Sequence, residues 1–255
     1  RAKVGITLLI IVISFSWVQR FPAGDWQIAN CDVGQGDAMV INLKQHRAIV
    51  IDVGPDPQLI DRCLRQLGVR EIPLLILTHV HADHVGGLAG AEKNRIVGTT
   101  WYGDVFAGTR AKIENVEIEV KWPNNAEGLT PNNSSIAVLI SSPDFTLFAA
   151  GDIEPPAQSQ LVSRIGAVDI YKVAHHGSRF QDLDLLRELA PRIAVVSVGA
   201  TNTYGHPAPS TISALTQLGA KVLRTDIDGA VAIRAASHQF SLQRSKRWFR
   251  FFSWS

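Results

Sequence analysis

An α/β chain folded as an αββα sandwich is what this sequence predicts. Three observations lead there. The first half of the chain is a series of short β-rich segments, the second half alternates strands with helices, and each half carries helical segments able to cover one face of a sheet. With 255 residues, 46% of them hydrophobic and 19% charged, the chain can bury a substantial core as a single domain. That composition excludes a disordered protein. The formal net charge of +2 is too small to argue for a nucleic-acid partner by itself.

The elements follow in order. Val4 to Val18 reads VGITLLIIVISFSWV, without a charge. About 20 apolar residues are needed to cross a bilayer, so the run falls slightly short. With Arg1 and Lys3 ahead of it, it reads as the end of a transmembrane helix in a longer protein. A signal peptide and a buried core helix are the alternatives, although no small-residue cleavage site follows before Pro22. If the run spans a membrane, its positive start lies in the cytoplasm and the rest of the chain outside. The expected organisation is thus a membrane helix end or linker over 1–22, a folded domain over 23–242 and a basic, aromatic tail over 243–255.

After Pro22, Trp26–Asp32, Ala38–Leu43 and Ala48–Val53 are β-rich and separated by turn residues. Pro57–Leu67 has helical spacing and stops at Gly68. Leu74–Thr78 is a continuous apolar run, as in a strand buried on both faces, and a short helix is expected near Val85. Strands follow at Lys112–Trp122, Ile136–Ser141 and Phe145–Ala150. Then come a helix at Pro156–Ile165, a strand at Asp169–Ala174, a helix at Leu183–Ala190, a strand at Ile193–Val198 and a helix at Pro209–Leu218. Strands at Lys221–Thr225 and Ala230–Arg234 close the set. Cys31 and Cys63 show no zinc-knuckle spacing and are too few to staple such a domain. Buried thiols are the expectation, with a bridge in an oxidising compartment as the alternative.

The chemistry gathers after the apolar run, in Leu77-Thr78-His79-Val80-His81-Ala82-Asp83-His84-Val85-Gly86-Gly87. In an extended segment alternate residues face the same way, so His79 and His81 can converge on one metal ion. Asp83 and His84 lie past the turn, where they can face a second ion. Imidazole and carboxylate suit Zn²⁺ and related divalent ions, and two adjacent ions can clamp a water and a scissile group. Gly86 and Gly87 would let the backbone pass close to the metals.

This HxHxDH pattern after a strand resembles the signature of the metallo-β-lactamase superfamily, and the resemblance implies that superfamily's type of αββα sandwich. It also implies an acidic residue ending an earlier strand, matched by Asp52, which would orient the His loop from behind. Asp152, after Phe148-Ala149-Ala150-Gly151, matches the carboxylate shared by two ions. In Val173-Ala174-His175-His176-Gly177-Ser178, His176 matches the distal ligand, with His175 as an alternative or supporting one. One departure stands out. The superfamily usually supplies a further His before the shared Asp, yet no His lies between His84 and His175. The corresponding stretch is Thr130-Pro131-Asn132-Asn133-Ser134-Ser135-Ile136, where Asn or Ser would stand instead. A first metal position with fewer strong donors leaves room for Mn²⁺ beside Zn²⁺.

A finer resemblance joins Cys31-Asp32-Val33-Gly34-Gln35-Gly36-Asp37-Ala38, Pro131-Asn132-Asn133-Ser134-Ser135, His175-His176-Gly177-Ser178 and Tyr204-Gly205-His206-Pro207. Together these are similar to the C-terminal domain of the ComEC family, membrane channel proteins of bacterial DNA uptake in natural competence. The resemblance implies a nuclease with two divalent ions, Mn²⁺ or Zn²⁺, on the extracytoplasmic side of the cell membrane. It would degrade one DNA strand while the other enters. The implied partners are DNA, the membrane channel portion of the same longer chain and other DNA-uptake proteins. The turn at Gly34, Gln35, Gly36 and Asp37 can present backbone N–H groups to an anion. Asn133 and Ser178 are further candidates for substrate contact, and Asp83, His175 and His206 are the candidate catalytic residues. The tail from Gln243 to Trp254 mixes bases with aromatics, suited to nucleic acid or to a membrane surface. A hydrolase of a small ester and a non-catalytic DNA-guiding module are the alternative readings.

Overall fold

The computed structural model describes residues 21–125 and 127–245. The apolar run at 4–18 lies outside the described residues, as does the tail beyond Ser245. Among the described residues no helix is long and apolar enough to cross a membrane.

The strands are β1 (Ile28–Asn30), β2 (Met39–Asn42), β3 (Ala48–Ile51), β4 (Glu71–Ile76), β5 (Ile96–Trp101), β6 (Arg110–Ile113) and β7 (Val116–Trp122), followed by β8 (Ala137–Ser141), β9 (Thr146–Ala149), β10 (Ile170–Lys172), β11 (Ile193–Val196), β12 (Lys221–Arg224), β13 (Val231–Ala236) and β14 (Gln239–Arg244). They form two mixed, seven-stranded sheets, ordered β14-β13-β1-β2-β3-β4-β5 and β12-β11-β10-β9-β8-β7-β6. The chain's end therefore returns to its beginning, with Ile233 paired to Ile28.

The period-two pattern of the strands sets the layers. Met39, Ile41, Ile49, Ile51, Leu74 and Ile76 face the second sheet and meet Ile118, Val138, Ile140, Leu147, Ile170 and Val195 there. Their alternates Val40, Val50 and Leu75 pack outward with Ile60 and Leu64 of the helix Pro57–Gln66. On the other side Phe148, Tyr171, Ala194 and Val196 pack with Leu185, Leu186, Leu189 and Leu215. Burying one such side chain stabilises by about 1.5–3 kcal/mol, so both faces of both sheets are used. That is the αββα sandwich the sequence predicts.

The helix Pro57–Gln66 starts where expected because Pro57 suits a first turn and the Asp56 carboxylate accepts from Gln58 N at 2.6 Å and Leu59 N at 3.2 Å. Several boundaries differ from the sequence reading. The single strand expected at Lys112–Trp122 is a hairpin, β6 and β7, turning at Glu114-Asn115 with Glu114 at φ 55°. The helix expected over Pro156–Ile165 is a turn of α-helix, Pro155–Gln158, and a 3₁₀ turn, Ser159–Leu161. The strand β5 escapes the sequence pattern because four of its six residues, Ile96 among them, are exposed. β14 runs through Arg244, so the first residues of the basic tail are sheet. The expectation of free thiols is also corrected, because Cys31 and Cys63 form a disulfide. Cys31 follows β1 on the face covered by the helix that carries Cys63, and both are buried in that layer.

Candidate metal centre

Parallel strands deliver the site. Ile51 of β3 lies beside Ile76 of β4, so Asp52 and the segment from Thr78 to His84 leave the first sheet at one edge. Lys172 of β10 lies between Ala149 of β9 and Val195 of β11, so Asp152, His175, His176 and Ser197 leave the second sheet together. Ligands of parallel sheets gather at such carboxyl ends.

At the centre stands the Asp152 carboxylate, 2% exposed. Its Oδ2 is 3.3 Å from His84 Nε2, 3.5 Å from His176 Nε2, 3.9 Å from His175 Nε2 and 4.0 Å from His79 Nε2. His79 Nε2 lies 3.0 Å from His81 Nδ1. Asp83 Oδ2 lies 3.2 Å from His176 Nε2 and 4.0 Å from His84 Nε2. Among the described residues four overlapping donor groups result: His79 with His84 and Asp152, Asp83 with His84 and His176, Asp37 with Asp152 and His176, and Asp37 with Asp52 and His84.

The residues behind this ring fix which nitrogen faces inward. Asp52, at φ 58°, accepts from Thr78 N at 2.7 Å and Thr78 Oγ1 at 2.8 Å. It also takes the Nδ1–H of His84 at 2.8 Å. His176 Nδ1 donates to the Ser197 carbonyl at 3.0 Å and lies 3.1 Å from Asp37 Oδ1. A carbonyl only accepts, so the Nδ1 of His176 carries a hydrogen and its Nε2 is the nitrogen that faces Asp152. Asp37 is itself bound to Lys172 Nζ at 2.6 Å, both side chains nearly fully buried.

Burial works against charge on His84, yet Asp152 and Asp52 raise its pKa well above the ordinary histidine value. In the same way, against burial, Asp152 and Asp37 raise His176 to about 10. Burial and the neighbouring His84 lower His79 to about 3. Asp152 is held well below the usual carboxylate range, its burial outweighed by His84 and His176. Burial raises Asp52 and lowers His206, the latter with help from His175 and His176.

The residues fit a cation cluster. His84 Nε2 and Asp152 Oδ1 are buried with no hydrogen-bond partner among the described residues. An unpaired buried polar atom costs about 1–3 kcal/mol, which a divalent ion would relieve. With neutral imidazoles, the carboxylates of Asp37, Asp52, Asp83, Asp152 and Glu154 against Lys172 leave four negative charges. Two divalent ions would cancel them.

The cluster opens into a cleft of about 880 Å³ lined by Gly34, Gln35, His81, Asp83, Asn132, Asp152, His175, His176, Tyr204 and His206. Other candidates from the sequence sit elsewhere. Gly36 is packed on the His loop, where an added Cβ would stand 2.2 Å from Asp83 O. Asp37 lies behind His176. Asn133 points away, its Oδ1 accepting from Glu154 N at 2.8 Å. Ser178 is fully buried, and its Oγ accepts from Phe180 N at 3.2 Å. Gly86 and Gly87 make room for the carbonyls of Pro55 and Val53 and not for the metal cluster. Where a further His is expected stands Ser135, whose Oγ is 3.2 Å from His79 Nδ1 and accepts from Asp152 N at 3.1 Å. Sequence reasoning missed Glu154, Lys172 and Ser197, and it left Ser135 as one of several residues of its stretch that could stand in the place of the His. Only Lys172 carried a signal, as a charge inside an apolar strand.

Comparison with known proteins agrees with the fold. The family model of the metallo-β-lactamase superfamily matches residues 31–107, the stretch holding Asp37, Asp52 and His79 to His84. The solved metallo-β-lactamase fold protein YhfI from Bacillus subtilis superposes with a TM-score of 0.52 at 10% identity, covering 78% of this chain and 96% of that one. The chain has the metallo-β-lactamase fold. This metallo-β-lactamase-fold chain is also related to ComEC-family competence proteins. It is 24% identical to ComE operon protein 3 of Bacillus subtilis, over 83% of the chain and 33% of that protein. It is 25% identical to competence protein ComA of Neisseria gonorrhoeae, over 84% of the chain and 33% of that protein. The chain thus spans about a third of the length of the curated relatives it matches.

Proposed function

We propose that the chain is the metal-dependent nuclease domain of a bacterial DNA-uptake channel, hydrolysing DNA phosphodiesters and degrading the strand that does not enter the cell. The observation that carries this reading is the ring of imidazole nitrogens around Asp152 Oδ2, at the floor of an open cleft in a chain whose relatives are competence proteins. His79, His81, Asp83, His84, Asp152 and His176 would hold two divalent ions, Mn²⁺ or Zn²⁺. Such ions, when bound, neutralise phosphate charge and lower the pKa of water.

The chain's own groups do the rest. Asp52 and Asp37 hold His84 and His176 with Nε2 facing the cluster. The Gly34–Gln35 backbone lines the cleft beside it and suits an anionic oxygen. His206 stands on the same wall, its ring centroid 5.4 Å from that of His175, and is the group proposed to hydrogen-bond the phosphate or the leaving oxygen. The Cys31–Cys63 disulfide suits an oxidising compartment and supports the extracytoplasmic side of the cell membrane. DNA, the membrane channel portion of the longer chain and other DNA-uptake proteins are the proposed partners.

The test is to strip the chain with a chelator, reload it with Mn²⁺ or Zn²⁺, and offer linear DNA, a chromogenic phosphodiester and a lactone side by side. The expected result is DNA cleavage only with metal. Lactone opening with intact DNA would favour a small-ester hydrolase, and DNA binding without any hydrolysis a guiding module.

A further inference from the structure

Four strands end the two sheets, β5 and β14 in the first and β6 and β12 in the second. A free sheet edge offers unpaired N–H and C=O groups to any other strand, and a Lys or Arg on the edge is a common protection. β6 carries Arg110 and Lys112, β12 carries Lys221 and Arg224, and β14 carries Arg244. β5 has no such guard: Ile96-Val97-Gly98-Thr99-Thr100-Trp101 and the following Tyr102 are uncharged. Arg95, just ahead of it, turns its guanidinium inward to Asp61 at 3.1 Å, with its side chain 2% exposed. Ile96 and Tyr102 stand exposed at the two ends of the strand, with Gly98, Thr99 and Thr100 exposed between them. Among the described residues only β4 pairs with it.

Symmetry and charge say what fits this edge. In a two-fold pairing the same surface meets itself, so a charge near the axis is set against its own copy. Of the four edge strands, β5 alone has no charge to repel its copy. Antiparallel pairing also brings the start of each strand to the end of the other. Ile96 then approaches Tyr102, a β-branched and aromatic combination that favours strand pairing. The exposed Lys93 before the strand approaches the exposed Asp104 after it, of opposite sign. The ends of the described chain lie at the far edge, where Ala23 N donates to Gln243 Oε1 of β14 at 2.7 Å. That edge is six strand spacings, or about 29 Å, from β5, which favours another molecule as the occupant. We infer that β5 is a docking edge for a second copy of this chain, paired antiparallel so that two seven-stranded sheets continue as one. No residue of β5 lines the cleft, so the pairing leaves the walls of the metal centre untouched.

The experiment reads mass and contact separately. Sedimentation equilibrium, in a mild detergent that accommodates the apolar run at 4–18, compares the unaltered chain with Thr99→Lys. The unaltered chain should sediment as a dimer. Thr99→Lys sets two ammonium groups against each other near the axis and should weaken self-association by about tenfold or more. Its far-ultraviolet spectrum and its metal binding by calorimetry should not change, which shows that the fold is intact. Both cysteines of the chain are held in the Cys31–Cys63 disulfide, so an added cysteine supplies the free thiol. Oxidation should link copies of Thr99→Cys or Thr100→Cys, because facing residues of paired strands lie about 4.5–5.5 Å apart, within disulfide reach. Ser213→Cys, on the exposed side of the helix Pro209–Gln217, should stay unlinked. A monomer at every concentration reached would overturn the inference, as would a dimer that Thr99→Lys leaves unchanged. Self-association is read without substrate, so a dimer that cuts no DNA would count against the nuclease reading alone.

Discussion

Lys172→Met probes a buried ion pair behind the site. Lys172 Nζ and Asp37 Oδ2 are 2.6 Å apart with side chains 3% and 4% exposed, so solvent screens the pair little. Removing one partner of such a pair leaves a buried charge and costs about 3–5 kcal/mol. For a domain of this size each kcal/mol lowers the melting temperature by about 2–4 °C, and the expected drop is therefore about 6–20 °C. The sign with pH is fixed by Asp37. Its burial opposes ionisation, but Lys172 and His176 hold its pKa below the ordinary value. Its contribution is thus complete above the unfolded pKa of about 3.9 and is lost only as pH falls through the native value. The deficit of Lys172→Met should persist from about pH 5 to pH 8. Urea and thermal unfolding with chelator present measure it on the metal-free fold. The double variant Asp37→Asn with Lys172→Met removes both charges and should regain most of the loss. An unfolding midpoint for Lys172→Met equal to that of the unaltered chain would show that the pair is not the buried, mutually dependent contact described.

Three other outcomes are expected. Asp152→Ala should abolish phosphodiester hydrolysis and weaken both metal-binding events while leaving the far-ultraviolet spectrum unchanged; hydrolysis at the unaltered rate would remove Asp152 from the centre. Tyr204, 71% exposed and stacked over His206 at 6.2 Å, offers a face to a base. Tyr204→Ala should weaken single-stranded oligonucleotide binding by about 1–3 kcal/mol and spare a chromogenic phosphodiester, read by fluorescence anisotropy and by absorbance. In the metal-free chain His176 titrates at about 10, so an incoming ion must displace its proton. Calorimetry should find metal affinity rising between about pH 7 and 9 by up to about tenfold per pH unit for each proton displaced, and His84, also raised, gives up a second one. Stability of the metal-free chain has the opposite sign, greatest below the unfolded histidine pKa of about 6.5 and lost as pH rises through the native value. A pH-independent affinity would contradict the pairing of His176 with Asp152.

The legible part of the site was the part that is local. His79, His81, Asp83 and His84 fall within six positions after an apolar strand, so spacing alone places them together. Asp152 and His176 were recognisable only by chain order relative to that motif. Glu154 and Ser197 were not recognisable at all, because a carboxylate or hydroxyl in a loop acquires its role from what the fold sets beside it. Lys172 and Asp37 are 135 positions apart in sequence, and the disulfide partners 32 apart, so no local pattern could pair them. The strands were read best where both faces are buried. β5 was lost because it lies at a sheet edge with four of six residues exposed, and β6 because a two-residue turn hides inside one β-rich run.

The same geometry explains why a metal site belongs at this edge of the sandwich. The apolar layer between the sheets gives way here to polar links across the seam. Lys172 reaches Asp37, Asn30 Nδ2 donates to Ser197 Oγ at 3.1 Å, and Ser197 Oγ donates to Gly36 O at 2.8 Å. Ile136 N donates to Thr78 O at 2.9 Å. His79, His81, Asp83 and His84 come from the first sheet, whereas Asp152, His175 and His176 come from the second. Ions held between the two sets would join the halves where polar links cross the seam. Their binding energy would then add to the stability of the sandwich, and the buried carboxylates would be tolerated because the ions answer their charge.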